Sequence, residues 1–269
     1  MHLEQSGKAK ILYFIFLQNL WYPHLLSFFG EAWSLSVEEW FYITLPLVLF
    51  VCSKLAKPTN KQKFMLRVFI GYLLTFLLIR FVNAFHPING HDQDAGIRKV
   101  VLFRLDAVMY GVLVAYLQQF HSSLLYKIKN QLLILSILGF KGLHYLISNQ
   151  TIKIEATTIP GLQFISNAFL YLFLPLVFSL SLPYALNTIS IRNKILKNST
   201  KHISKISYSM YLCNYTLLYL PFFYEMKKTN NYILCVYYLV FWVILILLST
   251  FLYNYIELPA MKIRDRFSK

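Results

Sequence analysis

Long apolar runs, each about the length a bilayer demands, alternate with short polar segments along this chain. A helix needs about 20 mostly apolar residues to cross the hydrocarbon core. The runs at 33–52, 64–82, 100–117, 131–148, 162–182, 205–222 and 232–255 meet that requirement. A shorter run at 11–29, interrupted by Gln18, Asn19 and Pro23, reads as an eighth span or a partly re-entrant one. The runs are continuously apolar and lack the alternation of membrane-barrel strands. The pattern predicts an all-α fold: a polytopic transmembrane helix bundle of about 8 spans, one membrane-embedded domain over residues 1–269.

Composition agrees. The 269 residues are 57% hydrophobic and 17% aromatic, with only 14% charged, against about a quarter charged in ordinary soluble domains. Such hydrophobicity excludes a disordered chain, and no repeat of solenoid period is present. Cys52, Cys213 and Cys235 lie in apolar runs and fit no ligand or disulfide spacing, which predicts buried free thiols. The net charge of +15 has two readings. In a soluble chain it would point to nucleic acid; in a membrane chain it marks cytoplasmic loops. Here the basic residues sit between the apolar runs, so the partner is the lipid bilayer and not nucleic acid.

The loops alternate in charge. Lys54, Lys57, Lys61 and Lys63 fill the loop at 53–63, whereas 83–99 sets Asp92 and Asp94 against Arg98 and Lys99. Lys127 and Lys129 follow in 119–130, then Lys153 against Glu155 in 149–161. The loop at 183–204 carries Arg192, Lys194, Lys197 and Lys201 without an acid, 224–231 is mixed, and the tail ends in Lys262, Arg264, Arg266 and Lys269. Lys/Arg bias sets orientation. It places both termini in the cytoplasm and residues 20–32 outside, for a multi-pass protein of the inner (cytoplasmic) membrane. No small-residue cleavage pattern follows the first apolar run, so it is not read as a signal peptide.

Charges at membrane depth cost about 2.5–3.5 kcal/mol each on insertion scales and need a reason. One cluster is Trp33-Ser34-Leu35-Ser36-Val37-Glu38-Glu39-Trp40-Phe41-Tyr42, in which Ser34 and Glu38 share a helix face. Glu39 is rotated from Glu38 by about 100°, so one of the two faces the bundle and the other the headgroups. A second cluster is Phe103-Arg104-Leu105-Asp106 through Gly111, entering at a similar depth. An Arg104–Glu38 or Arg104–Asp106 partnership is expected to offset much of the burial cost. Either a structural ion pair or functional acids and bases result; intramembrane carboxylates favour the second.

Weaker candidates are Tyr208, Tyr211 and Tyr215, at helical spacing beside Ser207, Ser209 and Asn214. Such tyrosines serve packing more often than catalysis. Glu257, before Pro259, reads as a carboxylate at a membrane exit. His86, His91, Asp92 and Asp94 match no common zinc spacing, so no metal is expected.

The first cluster, with Pro46 after it, resembles the W-S-L-S-V-E-E-x-F-Y…P signature of the acyltransferase-3 family of integral-membrane O-acyltransferases. Three further stretches follow in the family's order. Arg104-Leu105-Asp106 through Gly111 is similar to its R-x-D…G helix, Ser207-Tyr208-Ser209-Met210-Tyr211-Leu212 to its S-Y-S-x-Y-L-x-H segment, and Ile256-Glu257-Leu258-Pro259 to its closing I-E-x-P. Two departures stand out. Asn214 occupies the position where that segment generally has histidine, and the family's first two spans, with the proposed catalytic histidine, do not precede this sequence. The chain then reads as an N-terminally truncated member: a fragment, a mis-called start or a decayed gene.

The resemblance implies transfer of an acyl group, typically acetyl, from acyl-CoA to a hydroxyl of a cell-surface carbohydrate, with no permanently bound cofactor. It implies Glu38, positioned by Ser34, as the remaining acid/base or orienting group. Arg104 would balance charge and stabilise the oxyanion, and Asp106 would orient Arg104. Without the family's histidine, the chain alone is expected to be inactive or severely impaired. Two other readings stand beside it: a non-catalytic membrane scaffold of the same fold, and a transporter, which would predict paired interrupted helices in corresponding halves. No such internal symmetry is visible. Acyl-CoA phosphates would favour a basic cytoplasmic surface such as Arg192 to Lys205.

Overall fold

Helix follows helix along the chain, as continuous apolar runs require when every backbone polar group must be satisfied within its own segment. A computed structural model describes residues 7–21, 30–85, 94–148, 160–220, 222 and 231–267. Its α-helices are α1 (Gly7–Phe14), α2 (Ala32–Ala56), α3 (Lys61–Phe85), α4 (Leu105–Phe120), α5 (Ser122–Ser148), α6 (Pro160–Thr188), α7 (Lys194–Cys213), α8 (Asn231–Leu252) and α9 (Leu258–Phe267). A 3₁₀ turn at Val101–Phe103 precedes α4, and π turns occupy Asp94–Arg98, Asn214–Tyr219 and Tyr253–Glu257. There is no strand among the described residues.

Among the described residues, four stretches are long and apolar enough to cross a membrane: Ala32–Ala56, Lys61–Asn83, Phe169–Thr188 and Val236–Phe267. Their outward faces carry large apolar side chains. On α2, for example, Leu47 and Phe50 are 57% and 60% exposed. Such faces belong in lipid, and they mark the chain as a membrane protein. Of the other predicted runs, 131–148 lies within the 27-residue α5, and three differ from expectation. The run at 100–117 is broken, its helix starting only at Leu105 and extending 16 residues, short of the ~20 that a span requires. The run at 205–222 belongs to a helix that starts at Lys194 and is lysine-rich in its first half. From the run at 11–29, residues 11–14 are helical and the chain then turns.

The chain divides into two compact units, the first of residues 1–28 and 32–189, the second of 29–31 and 190–269. In the first, Val37, Phe41 and Leu45 of α2 pack with Phe69 and Tyr72 of α3 and with Val101, Leu105, Met109 and Tyr116. Phe41 meets Tyr72 edge-on at 5.8 Å and Phe69 meets Tyr116 at 6.0 Å, the arrangement the ring quadrupoles favour. Small residues let α5 and α6 approach closely: a Cβ on Gly139 would lie 2.7 Å from Val177. Ser136 there donates to the Val177 carbonyl at 2.9 Å.

Gln18 and Asn19 explain why the first apolar run is interrupted. Asn19 Nδ2 donates to the carbonyls of Trp33 (3.0 Å) and Lys99 (2.6 Å), and its own carbonyl accepts from Val101 N at 3.0 Å. Gln18 donates to Ser36 Oγ and to the Ala32 carbonyl, and Trp40 Nε1 donates to the Phe16 carbonyl at 2.8 Å. Residues 16–19 thus form a polar strap tying the start of α2 to the segment before α4.

In the second unit, Cys213, Leu218 and Leu245 form the core, packed by Met210, Phe241 and Leu248. Asn193 caps α7 by accepting from Ile195 N at 2.9 Å. The π turn after α7 leaves the Thr216 amide to a side chain: Glu31 Oε1 accepts from it at 2.6 Å, and Glu31 Oε2 accepts from the Thr216 hydroxyl at 2.5 Å. A Cβ on Gly30 would stand 3.0 Å from the Tyr215 ring, so glycine admits this close approach.

Candidate functional site

Four charged positions crowd the break between the 3₁₀ turn and α4. Asp106 lies in the first turn of α4, where a carboxylate complements the positive end of the helix dipole. It is fully buried, and its ion-pair partner is Arg80 of α3, 1% exposed. Arg80 also donates through Nε to the Phe103 carbonyl at 2.9 Å. One guanidinium therefore holds both the end of the 3₁₀ turn and the start of α4. Asp106 Oδ2 and Arg80 Nη1 have no hydrogen-bond partner among the described residues.

Arg104 faces elsewhere. No hydrogen bond or ion pair joins Arg104 to Asp106 or Glu38 among the described residues: Asp106 is taken by Arg80, and Glu38 lies outside the buried face of α2. Arg104 stands at the N-cap with φ −130°, its Nη1 donates to the Tyr171 carbonyl at 3.3 Å, and its guanidinium lies 5.4 Å from the centre of the Tyr171 ring. The reason is four residues further along α6. In a helix the Tyr171 carbonyl would accept from residue 175, and Pro175 has no N–H to give. Arg104 supplies the missing donor.

Arg104 lies on the wall of a cleft of about 450 Å³ between α4 and α6, with Val108, Gly111, Leu174, Pro175 and Phe178 also lining it. Both ends of the Arg104…Gly111 stretch thus face one space, and a Cβ at Gly111 would meet nothing within 4 Å. Arg98, before the turn, lies 4.9 Å from the ring centre of Trp33.

Glu38 is exposed and Glu39 half-buried. The buried face of α2 runs through Ala32, Ser36, Val37, Phe41 and Leu45, and Glu38 falls outside it. Ser34 and Glu38 share a helix face, and the Glu38 carboxylate holds no hydrogen bond or ion pair among the described residues. In the second unit Ser209, buried, donates to Glu257 at 2.9 Å. Tyr208, Tyr211 and Tyr215 are exposed, and Asn214, also exposed, opens the π turn. His86, His91 and Asp92 lie outside the described residues, as does the Asp94 side chain.

Sequence reasoning missed two residues. Arg80 is a lone cation in the apolar run at 64–82, a signal in itself, since intramembrane charge asks for a partner. Pro175 inside a span signals a freed carbonyl four residues earlier. Chemically, the cleft offers apolar walls and a cation with spare N–H donors, a place for an apolar group ending in a polarised oxygen. No family model matches the sequence, and no curated protein or solved structure matches the chain.

Proposed function

We propose that the chain is a membrane O-acyltransferase moving an acyl group, acetyl in the simplest case, from acyl-CoA to a hydroxyl of a cell-surface carbohydrate. In this reading it is a multi-pass protein of the cytoplasmic membrane with about 8 spans and both termini cytoplasmic, the orientation that the loop lysines and arginines favour.

Arg104 at the wall of the apolar cleft carries the proposal. The acceptor oxygen attacks the thioester carbonyl, forming a C–O bond, and its proton passes to a base. The tetrahedral oxyanion then collapses, the C–S bond breaks, and CoA leaves as thiolate. Arg104 stabilises the oxyanion with N–H donors not spent on Tyr171. Glu38, an exposed carboxylate outside the lining of that cleft, is the acid/base or orienting group, with Ser34 on its face positioning it. Asp106 is a positioning residue that acts through Arg80 on the start of α4.

The resemblance to the acyltransferase-3 family supports the assignment on its own residues, and the resembling stretches meet in pairs. Val37 and Phe41 share a core with Leu105 and Met109, while Ser209 bonds Glu257. The test is surface O-acetyl content in cells expressing Glu38→Gln or Arg104→Gln from the native locus, with protein level followed by immunoblot. Loss of about 100-fold or more at unchanged protein level supports the enzyme. Unchanged acetylation by both variants refutes it and favours a scaffold.

A further inference from the structure

A second cleft, of about 640 Å³, runs between α2 and α3. Its walls are Val48, Phe64, Val68 and Phe76, and a Thr44–Tyr72 hydrogen bond of 2.8 Å spans one end. Both helices are long and apolar enough to cross a membrane, so the space opens to hydrocarbon and not to water. Gly71 lines it, and a Cβ there would meet nothing within 4 Å. The glycine leaves room that no protein group fills.

The far end of the cleft lies toward the turn joining the two helices, where every charge is positive. Lys54, Lys57, Lys61 and Lys63 surround that turn, and Arg67 lines the cleft itself. No acid occurs between Glu39 and Asp92, and Arg67 has no hydrogen bond or ion pair among the described residues. Lys57 adds an independent observation. It closes α2 at φ 41°, a left-handed position that glycine fills without strain and lysine does not.

We infer that this cleft seats one acyl chain of an anionic phospholipid, with Arg67 and the turn lysines receiving its phosphate. An apolar slot open to hydrocarbon suits an acyl chain, and an uncompensated cluster of cations selects an anionic head group. The inference is independent of acyl transfer and rests only on α2 and α3 lying in a bilayer.

The test is native mass spectrometry of the full chain in detergent, delipidated and then titrated with phosphatidylglycerol or phosphatidylethanolamine. The expected result is one retained phosphatidylglycerol, little phosphatidylethanolamine, and no displacement by oleoyl-CoA. Arg67→Gln and Lys57→Gly should each reduce the preference about fivefold, the second without loss of thermal stability because it relieves the backbone. Gly71→Leu should abolish retention of both lipids. Equal retention of the two lipids by the wild type, displacement by oleoyl-CoA, or unchanged phosphatidylglycerol binding by Gly71→Leu overturns the inference. Should Gly71→Leu not yield monodisperse protein, Arg67→Gln decides, and an unaltered preference there is equally fatal.

Discussion

Arg80 and Asp106, 26 residues apart, meet as an ion pair from which solvent is absent. Two charges buried together are held mainly by each other, and removing one strands the other. Asp106→Asn or Arg80→Met alone should therefore cost about 3–5 kcal/mol, whereas the double change to Met and Leu should recover most of that loss. Thermal unfolding in detergent reads both. Equal losses in the single and double variants would mean that the pair is not the source of the effect.

Arg104 should behave in the opposite way. It is only half-buried and bonds a carbonyl that Pro175 has freed. Pro175→Ala restores an N–H to the helix and competes for the Tyr171 carbonyl, so stability should hold or rise while, on the proposed function, surface acetylation falls. A parallel fall in melting temperature and acetylation would assign Pro175 a packing role instead.

The Ser209 hydroxyl donates to Glu257 at 2.9 Å across the second unit. Ser209→Ala leaves that carboxylate short of a donor, at a cost of about 1–3 kcal/mol. Hydrogen exchange should detect it as faster exchange at the π turn Tyr253–Glu257, with the amides around Arg80 unchanged.

Gly139 and Gly142 sit one turn apart on α5 and should give opposite signs. A Cβ at Gly139 stands 2.7 Å from a Val177 methyl, and valine is too stiff at χ1 to move aside. Gly139→Ala should cost about 1–3 kcal/mol. Nothing lies within 4 Å of a Cβ at Gly142, so Gly142→Ala should stabilise by about 0.5–1 kcal/mol through helix propensity. Paired melting curves decide between them.

Apolar runs of helical length were enough to establish an all-helical chain with membrane-crossing segments, since in lipid no other open structure satisfies the backbone. They also singled out the charges at 38–39 and 104–106, though not Arg80 in the run at 64–82. Run length did not locate the helix ends: α4 begins at Leu105 and α7 at Lys194, boundaries set by a backbone break and by the Asn193 cap. Partner choice was likewise hidden. Asp106 pairs with Arg80 and not Arg104, because α3 brings a buried guanidinium to the start of α4 while Arg104 bonds the Tyr171 carbonyl. Arg104 reaches Tyr171 only because a proline on another helix empties that carbonyl. Helical period assigns a residue to a face. What that face meets depends on where helices cross, and only the tertiary structure decides it.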